Sequence, residues 1–236
     1  MPKTAIITGA SSGIGAATAI QLNKAGYNVV LAARRIDKLK DVSKQLNENH
    51  LLLEVDVTNT EDVKLMVDTT IKKFVSIDVL VNNAGVGHLG PFDEGKLDEW
   101  HNMFDVNVKG LLSCIHSSLP HLLQSGGHIF NIASVAAHEV FPGSVVYCAS
   151  KHAVNAITVG MRKEFREKIK VTNISPGAVS TEFFHHTSHE KTKENFKNYF
   201  ENNETLVSED IADVILETLN KPSRVAINEI IIRPNI

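Results

Sequence analysis

Tyr147 and Lys151 stand four residues apart in the stretch VVYCASKHAV, residues 145–154. On a helix that spacing puts both side chains on one face, a phenol beside an ammonium. Such a pair can act as a proton donor and the cation that tunes it. A carbonyl oxygen that receives a hydride gathers negative charge, and it needs a proton and a second hydrogen-bond donor nearby. Free tyrosine titrates near pKa ~10, too high for efficient exchange at neutral pH, and a neighbouring cation favours the phenolate. Ser134, just past a short apolar run, can supply the second hydrogen bond. Spacing alone does not separate this chemistry from decoration. Taken singly, Tyr147 also reads as an amphipathic surface tyrosine, Ser134 as a turn cap and Asn107 as a helix kink residue.

What a hydride transfer also requires is a dinucleotide, and the N-terminal stretch AIITGASSGIGAAT is built to hold one. Gly9, Gly13 and Gly15, with Ser11, Ser12 and Ile14 between them, lie between an apolar run and an amphipathic one. Small residues permit a tight turn, and a helix N-terminus offers unpaired N–H groups and partial positive charge to a pyrophosphate. The G-x-x-x-G-x-G spacing differs from the G-x-G-x-x-G fingerprint. About 20 residues on, NAD-binding chains usually carry an acidic group for the ribose 2′-hydroxyl. Here Ala33 stands there, followed by Arg34 and Arg35. Guanidinium groups suit a 2′-phosphate, so NADP(H) is expected over NAD(H).

These residues need a frame. Short apolar runs recur at 4–8, 28–33, 51–55, 78–82, 128–133, 170–174 and 226–232, nearly continuous in hydrophobicity as in parallel strands covered on both faces. Between them, helical periodicity marks 13–25, 98–119 and 151–165. The alternation predicts an α/β fold, one Rossmann-like, doubly wound parallel sheet with helices on both faces, in a single domain over 1–236. Net charge is −3, which gives no basic footprint for nucleic acid or an anionic membrane. No run approaches a membrane span, and no signal peptide is evident. Cys114 and Cys148 lack metal or CxxC spacing and read as buried free thiols. A soluble cytoplasmic enzyme is expected. Residues 181–205 break the pattern: polar, rich in His, Lys, Asn and Glu, yet carrying Phe183, Phe184, Phe196, Tyr199 and Phe200. They read either as a solvated helical insertion or as a substrate flap. His185, His186 and His189 lack the carboxylates or cysteines of a metal site, and no metal is expected.

With TGASSGIG at 8–15, NNAG at 82–85, Ser134, YCASK at 147–151 and PG at 176–177, the chain resembles the short-chain dehydrogenases/reductases over essentially its whole length. The resemblance implies about seven strands in the order 3-2-1-4-5-6-7, with cofactor across their carboxyl ends. It implies a catalytic set of Ser134, Tyr147 and Lys151, with Asn107 as the helix asparagine that holds a proton-relay water. Asp56 and Val57 would flank the adenine, and Asn83, Ala84 and Gly85 would line the cofactor. Pro176, Gly177, Val179 and Thr181 would border the nicotinamide, and Lys151 and Tyr147 would also touch it or its ribose. The C-terminal VAINEIIIRPNI and the AARR signature look most like the subgroup that oxidises serine and 3-hydroxy acids with NADP. The resemblance further implies a homo-oligomer, dimer or tetramer.

Substrate contacts are expected from Val86, His88, Ala136, His138, Phe141, Phe183 and Phe184. No arginine stands out among them to clamp a carboxylate, so ketone or aldehyde reduction is equally open. The competing class is a non-catalytic NADP(H)-binding redox sensor or scaffold on the same fold; no catalytic position is lost to favour it.

Overall fold

β-Branched and small apolar runs, too short for helices, become strands. The computed structural model describes residues 1–235, the side chain of His185 excepted. The strands are β1 (Thr4–Thr8), β2 (Asn28–Ala33), β3 (His50–Glu54), β4 (Val79–Asn82), β5 (His128–Ile132), β6 (Lys170–Pro176) and β7 (Glu229–Ile232). They form one parallel sheet in the order β3-β2-β1-β4-β5-β6-β7. The order reverses between β1 and β4, which opens a crevice beyond the carboxyl ends of the strands.

Helices cover both faces: α1 (Gly13–Lys24), α2 (Ile36–Ser43), α3 (Thr60–Phe74), α4 (Leu97–Phe104), α5 (Leu111–Ser125), α6 (Val145–Glu164), α7 (Glu190–Asn202) and α8 (Ser208–Leu219). Alternate residues of one strand feed opposite cores, because strand side chains point to opposite faces. Ile6 packs with Leu80, Ile129 and Val154 on one side. Ala5 and Ile7 pack with Leu22, Phe130 and Ile215 on the other. Every residue of β1, β2, β4 and β5 is buried, which is why those runs lack polar alternation.

Three boundaries differ from the sequence expectation. The stretch 98–119 is divided into α4 and α5 by a π-helical turn, Asp105–Gly110, a wide turn that inserts one residue and redirects its side chains. The helix expected at 151–165 starts earlier, at Val145, so Tyr147 lies in its first turn. The last strand begins at Glu229 rather than 226. Ile227 and Asn228 still accept bonds, from Thr172 Oγ1 and Asn173 N–H, but outside the regular ladder.

Residues 181–205 leave the body beside β6 and are pinned to the loop after β4 at Thr187, whose Oγ1 accepts from Leu89 N–H and donates to Gly87 O. Val179 and Leu206 form an isolated parallel bridge, with Ser180 N–H donating to Leu206 O and Leu206 N–H to Ala178 O. Beyond that staple lie a 3-10 turn, Glu182–His186, and α7, which buries none of its residues fully. No helix among the described residues is long and apolar enough to cross a membrane.

Candidate active site

The first turn after β1 is shaped by contacts that exclude side chains. Gly9 and Gly13 have φ of +66° and +56°, a region costly to residues with a Cβ. A Cβ on Gly15 would lie 2.5 Å from both Gly9 O and Asn83 Nδ2. Asn83 ties this turn to β4, its Nδ2 donating to Thr8 O at 2.9 Å and Gly9 O at 3.2 Å. The N-terminus of α1 carries no side-chain cap and no acid in its first turn. By contrast, Asn59 caps α3, accepting from Glu61 and Asp62 N–H, and those two acids occupy its first turn. The open end of α1 keeps its orphan N–H groups and dipole for an outside anion, a fit for a pyrophosphate.

Across the crevice, Ser134 follows β5 in extended backbone and caps a short 3-10 turn, its Oγ accepting from Ala136 N–H at 3.1 Å. Tyr147 comes over it from α6 and shares a hydrogen bond with Ser134. Lys151, one turn on, is 5% exposed. Its Nζ donates to Ile132 O at 2.9 Å and lies 5.8 Å from the centre of the Tyr147 ring. Burial raises the Tyr147 phenol above its ordinary value, the Ser134 hydrogen bond acting against it. Burial also lowers Lys151 to about 8. Without cofactor, desolvation disfavours the charged form of each.

Asn107 has a structural part beside the one expected of it. It sits in the π-helical turn, fully enclosed, with Oδ1 accepting from Val86 N–H at 2.8 Å. Its Nδ2 donates to Val86 O at 2.9 Å and Ser150 Oγ at 3.0 Å. The side chain thus braces the loop after β4 against α6. Gly85 makes room for this brace: a Cβ there would meet Asn107 Oδ1 at 3.3 Å and Lys151 Nζ at 3.6 Å.

Arg35 is folded over the phosphate turn. Its NH2 donates to Ser11 Oγ and Ser12 Oγ at 3.1 and 2.9 Å, and its NH1 to Glu182 at 3.0 Å. The guanidinium hydrogen bond and charge, with Ser12 assisting, hold the Glu182 carboxyl below its usual range. Glu182 was not singled out from sequence, because no spacing rule connects positions 35 and 182. Thr181 starts the flap directly over the turn, its Cγ2 3.1 Å from where a Gly13 Cβ would be.

All of this borders one cleft of about 1120 Å³, larger than the usual single-ligand pocket of ~300–1,000 Å³. Among the expected site residues, Gly9, Ser11, Ser12, Gly13, Ile14, Arg34, Arg35, Asp56 and Val57 line it at one end. Asn83, Ala84, Gly85, Ser134, Tyr147, Lys151, Pro176, Gly177, Val179 and Thr181 line the rest. Gly15 and Asn107 lie outside that lining, packed beneath it. Of the expected substrate contacts, Val86, Ala136, Phe141, Phe183 and Phe184 face the cleft, whereas His88 and His138 do not. His88 is taken up by His186 O and Asn102 Oδ1, and His138 by Ser175 Oγ at 2.9 Å and Glu229 at 3.5 Å. Among the described residues no group of three or more metal-ligating side chains gathers; His189 is engaged by Thr192 and Glu94, and the His185 side chain lies outside the described residues.

The sequence model of the family described as short chain dehydrogenase matches residues 3–192. The chain belongs to this family. An uncharacterised oxidoreductase of Staphylococcus saprophyticus is 42% identical over 238 residues, covering 99% of this chain and 96% of its own. Among solved structures, a closed form of serine dehydrogenase complexed with NADP+ superposes with a TM-score of 0.92 at 29% identity, covering 98% of this chain and 94% of its own. A short-chain dehydrogenase/reductase from Burkholderia phymatum in complex with NAD gives 0.90 at 26% identity, covering 98% and 88%. In this short-chain dehydrogenase, the matched segment holds the phosphate turn, Ser134, Tyr147 and Lys151. Most of α7, from residue 193 on, falls beyond it. The relatives and solved structures, by contrast, match essentially the whole chain, α7 included.

Proposed function

We propose that the protein transfers hydride between NADP(H) and a carbonyl or secondary-alcohol substrate, with Tyr147 as general acid and base. The observation that carries this reading is the convergence of Ser134, Tyr147 and Lys151 on the cleft that also holds the open N-terminus of α1. The cofactor, when bound, supplies the hydride chemistry. The turn from Gly9 to Gly15 would hold its pyrophosphate, Asp56 and Val57 its adenine, and Asn83 to Gly85 with Thr181 its far end. Arg34 and Arg35 favour NADP(H), since no acid stands after Ala33 to repel a 2′-phosphate.

In the reducing direction the substrate oxygen lies between the Ser134 hydroxyl and the Tyr147 phenol. Ser134 donates a hydrogen bond to it and Tyr147 delivers the proton as charge develops. The raised phenol keeps that proton available at neutral pH. For the reverse reaction Tyr147 must accept a proton, and the Lys151 ammonium, protonated below about 8, stabilises the phenolate so formed. NADPH oxidation over a carbonyl panel, and NADP+ reduction over alcohols including hydroxy acids, tests the reading. Turnover with NADPH exceeding that with NADH supports it; better kcat/KM with NADH overturns the cofactor preference.

Phe104 and Leu112 stay exposed on either side of the π-helical turn, which supports a homo-oligomer. Sedimentation showing only monomer at micromolar concentration would contradict it. Two buried free thiols, Cys114 and Cys148, suit a reducing, cytoplasmic setting.

A further inference from the structure

The chemistry of the cleft differs between its two ends. Among the described residues that line it, the arginines and lysines are Arg34, Arg35 and Lys151. Arg34 and Arg35 follow β2, which is three strand positions from β5 and Ser134, roughly 14 Å at ordinary strand spacing. Arg35 is turned onto Ser11 and Ser12, with Glu182 at 3.0 Å. Lys151 points its Nζ at Ile132 O, beneath the tyrosine. The lining from the loops after β4 and β5 is largely apolar, Val86, Leu89, Pro91, Ala136, Phe141 and Pro142, with Ser144 the hydroxyl beyond Ser134.

The flap completes this wall with aromatic rings in series. Phe183 lies 5.4 Å from Tyr147, centre to centre, and Phe184 lies 5.3 Å from Phe183. Phe184 stacks on Phe196 at 4.1 Å and meets Phe200 at 5.1 Å. The file of rings thus runs from the proton donor to α7. Thr192 and Asn195 add neutral polar groups to the lining, and His186 an imidazole whose ring centre lies 6.5 Å from that of His88.

Resting on the proposed oxidoreductase chemistry, we infer that the substrate is an uncharged, apolar carbonyl compound or its alcohol, aromatic or of comparable girth, and not a hydroxy or keto acid. An ionised carboxylate beside Tyr147 would leave water without an arginine to clamp it, a penalty that apolar walls cannot return. A phenyl group would instead bury its faces against Phe183 and Phe184, where ring–ring contact adds to the loss of wet apolar surface. This departs from the serine and 3-hydroxy acid substrates that the sequence resemblance suggested.

The test uses a matched pair, phenylglyoxylate and its methyl ester, which share a ketone and a ring and differ in charge. NADPH oxidation by the wild-type protein gives kcat/KM for each. Calorimetric titration of the NADPH-loaded Tyr147→Phe variant gives affinity without turnover. The expected result is an ester preference of about 100-fold in kcat/KM, with the same sense in affinity. Phe196→Arg, which adds a cation to the same wall, should reduce that preference at least about tenfold. Equal or better use of the acid, or no binding of either compound to the loaded variant, overturns the inference. Binding of the ester in preference to the acid without wild-type turnover upholds the pocket assignment and fells the catalytic reading.

Discussion

Gly15 and Gly87 meet almost the same obstruction and should respond to it differently. A Cβ on Gly15 would come within 2.5 Å of Gly9 O and Asn83 Nδ2; one on Gly87 would come within 2.4 Å of the Phe183 ring. The first obstacle is backbone, tied to two buried strands by Asn83 and Thr8. The second is a ring at the start of the flap, whose α7 buries no residue fully. One side of the cleft is close-packed and cannot yield without moving the sheet. The other is a segment joined at the Val179–Leu206 bridge and pinned at Thr187, with the rings of α7 outside that pin only partly covered. The dinucleotide end is preorganised, and the substrate end is adjustable. That is the division expected when one ligand is common to a family and the other is particular to a member.

Removing the group between the two sides should have the largest effect. Tyr147→Phe is expected to lower kcat by more than about 10³-fold, over ~4 kcal/mol of barrier, while NADPH titrates as before. Near-normal turnover would show that the proton comes from elsewhere. Next, Gly15→Ala should cost about 3 kcal/mol of stability and abolish measurable NADPH binding. Gly87→Ala should cost under about 1 kcal/mol and appear mainly as a changed KM. Thermal melts and cofactor titrations of both variants measure this, and equal penalties would erase the contrast.

Acid should act on the sheet before the flap. His128 on β5 is buried, stacked on Phe130 at 4.1 Å with Nε2 2.7 Å from Thr172 Oγ1. Burial first, then Lys170 and Lys3, push it down to about 3. The folded protein holds it neutral while the unfolded chain protonates near pH ~6.5. Its stabilising contribution is complete above that pH and is lost as pH falls toward about 3. The slope is up to about 1.4 kcal/mol per pH unit, and denaturant melts should show it reduced in His128→Gln. An unchanged slope would assign the acid sensitivity to other groups.

The smallest effect concerns the contact that links the two regions. The Arg35–Glu182 pair is half-exposed, 50% and 43%, and contributes under about 1 kcal/mol. Glu182 nevertheless competes with any phosphate for the same guanidinium. Glu182→Gln should tighten NADPH binding about two- to fivefold and leave NADH binding unchanged in calorimetric titration. Weaker NADPH binding would mean that Glu182 positions Arg35 instead of competing for it.

Legibility followed how local the signal was. The first six strands were readable within a residue or two because parallel strands buried on both faces leave continuous apolar runs. The phosphate turn was readable because positive φ and close approach restrict the residue type at Gly9, Gly13 and Gly15. The π-helical turn at Asp105–Gly110 was not, since the backbone partner of its Asn107, Val86, lies 21 residues away. His88 and His138 look alike in sequence to residues that face the cleft. Their partners, Asn102 and Ser175, are supplied by neighbouring elements.

By itself the sequence determined the layered fold, the turn for a dinucleotide and the Tyr147–Lys151 face, all set by local geometry and side-chain type. Tertiary structure alone decided which charges remain available. Lys151 is desolvated by the sheet and bonded to Ile132, and Arg35 is paired with a glutamate 147 residues away. The cleft beside Tyr147 is closed by rings from a flap held elsewhere in the chain. Electrostatics depends on distance and burial in space, and neither is written in the order of residues.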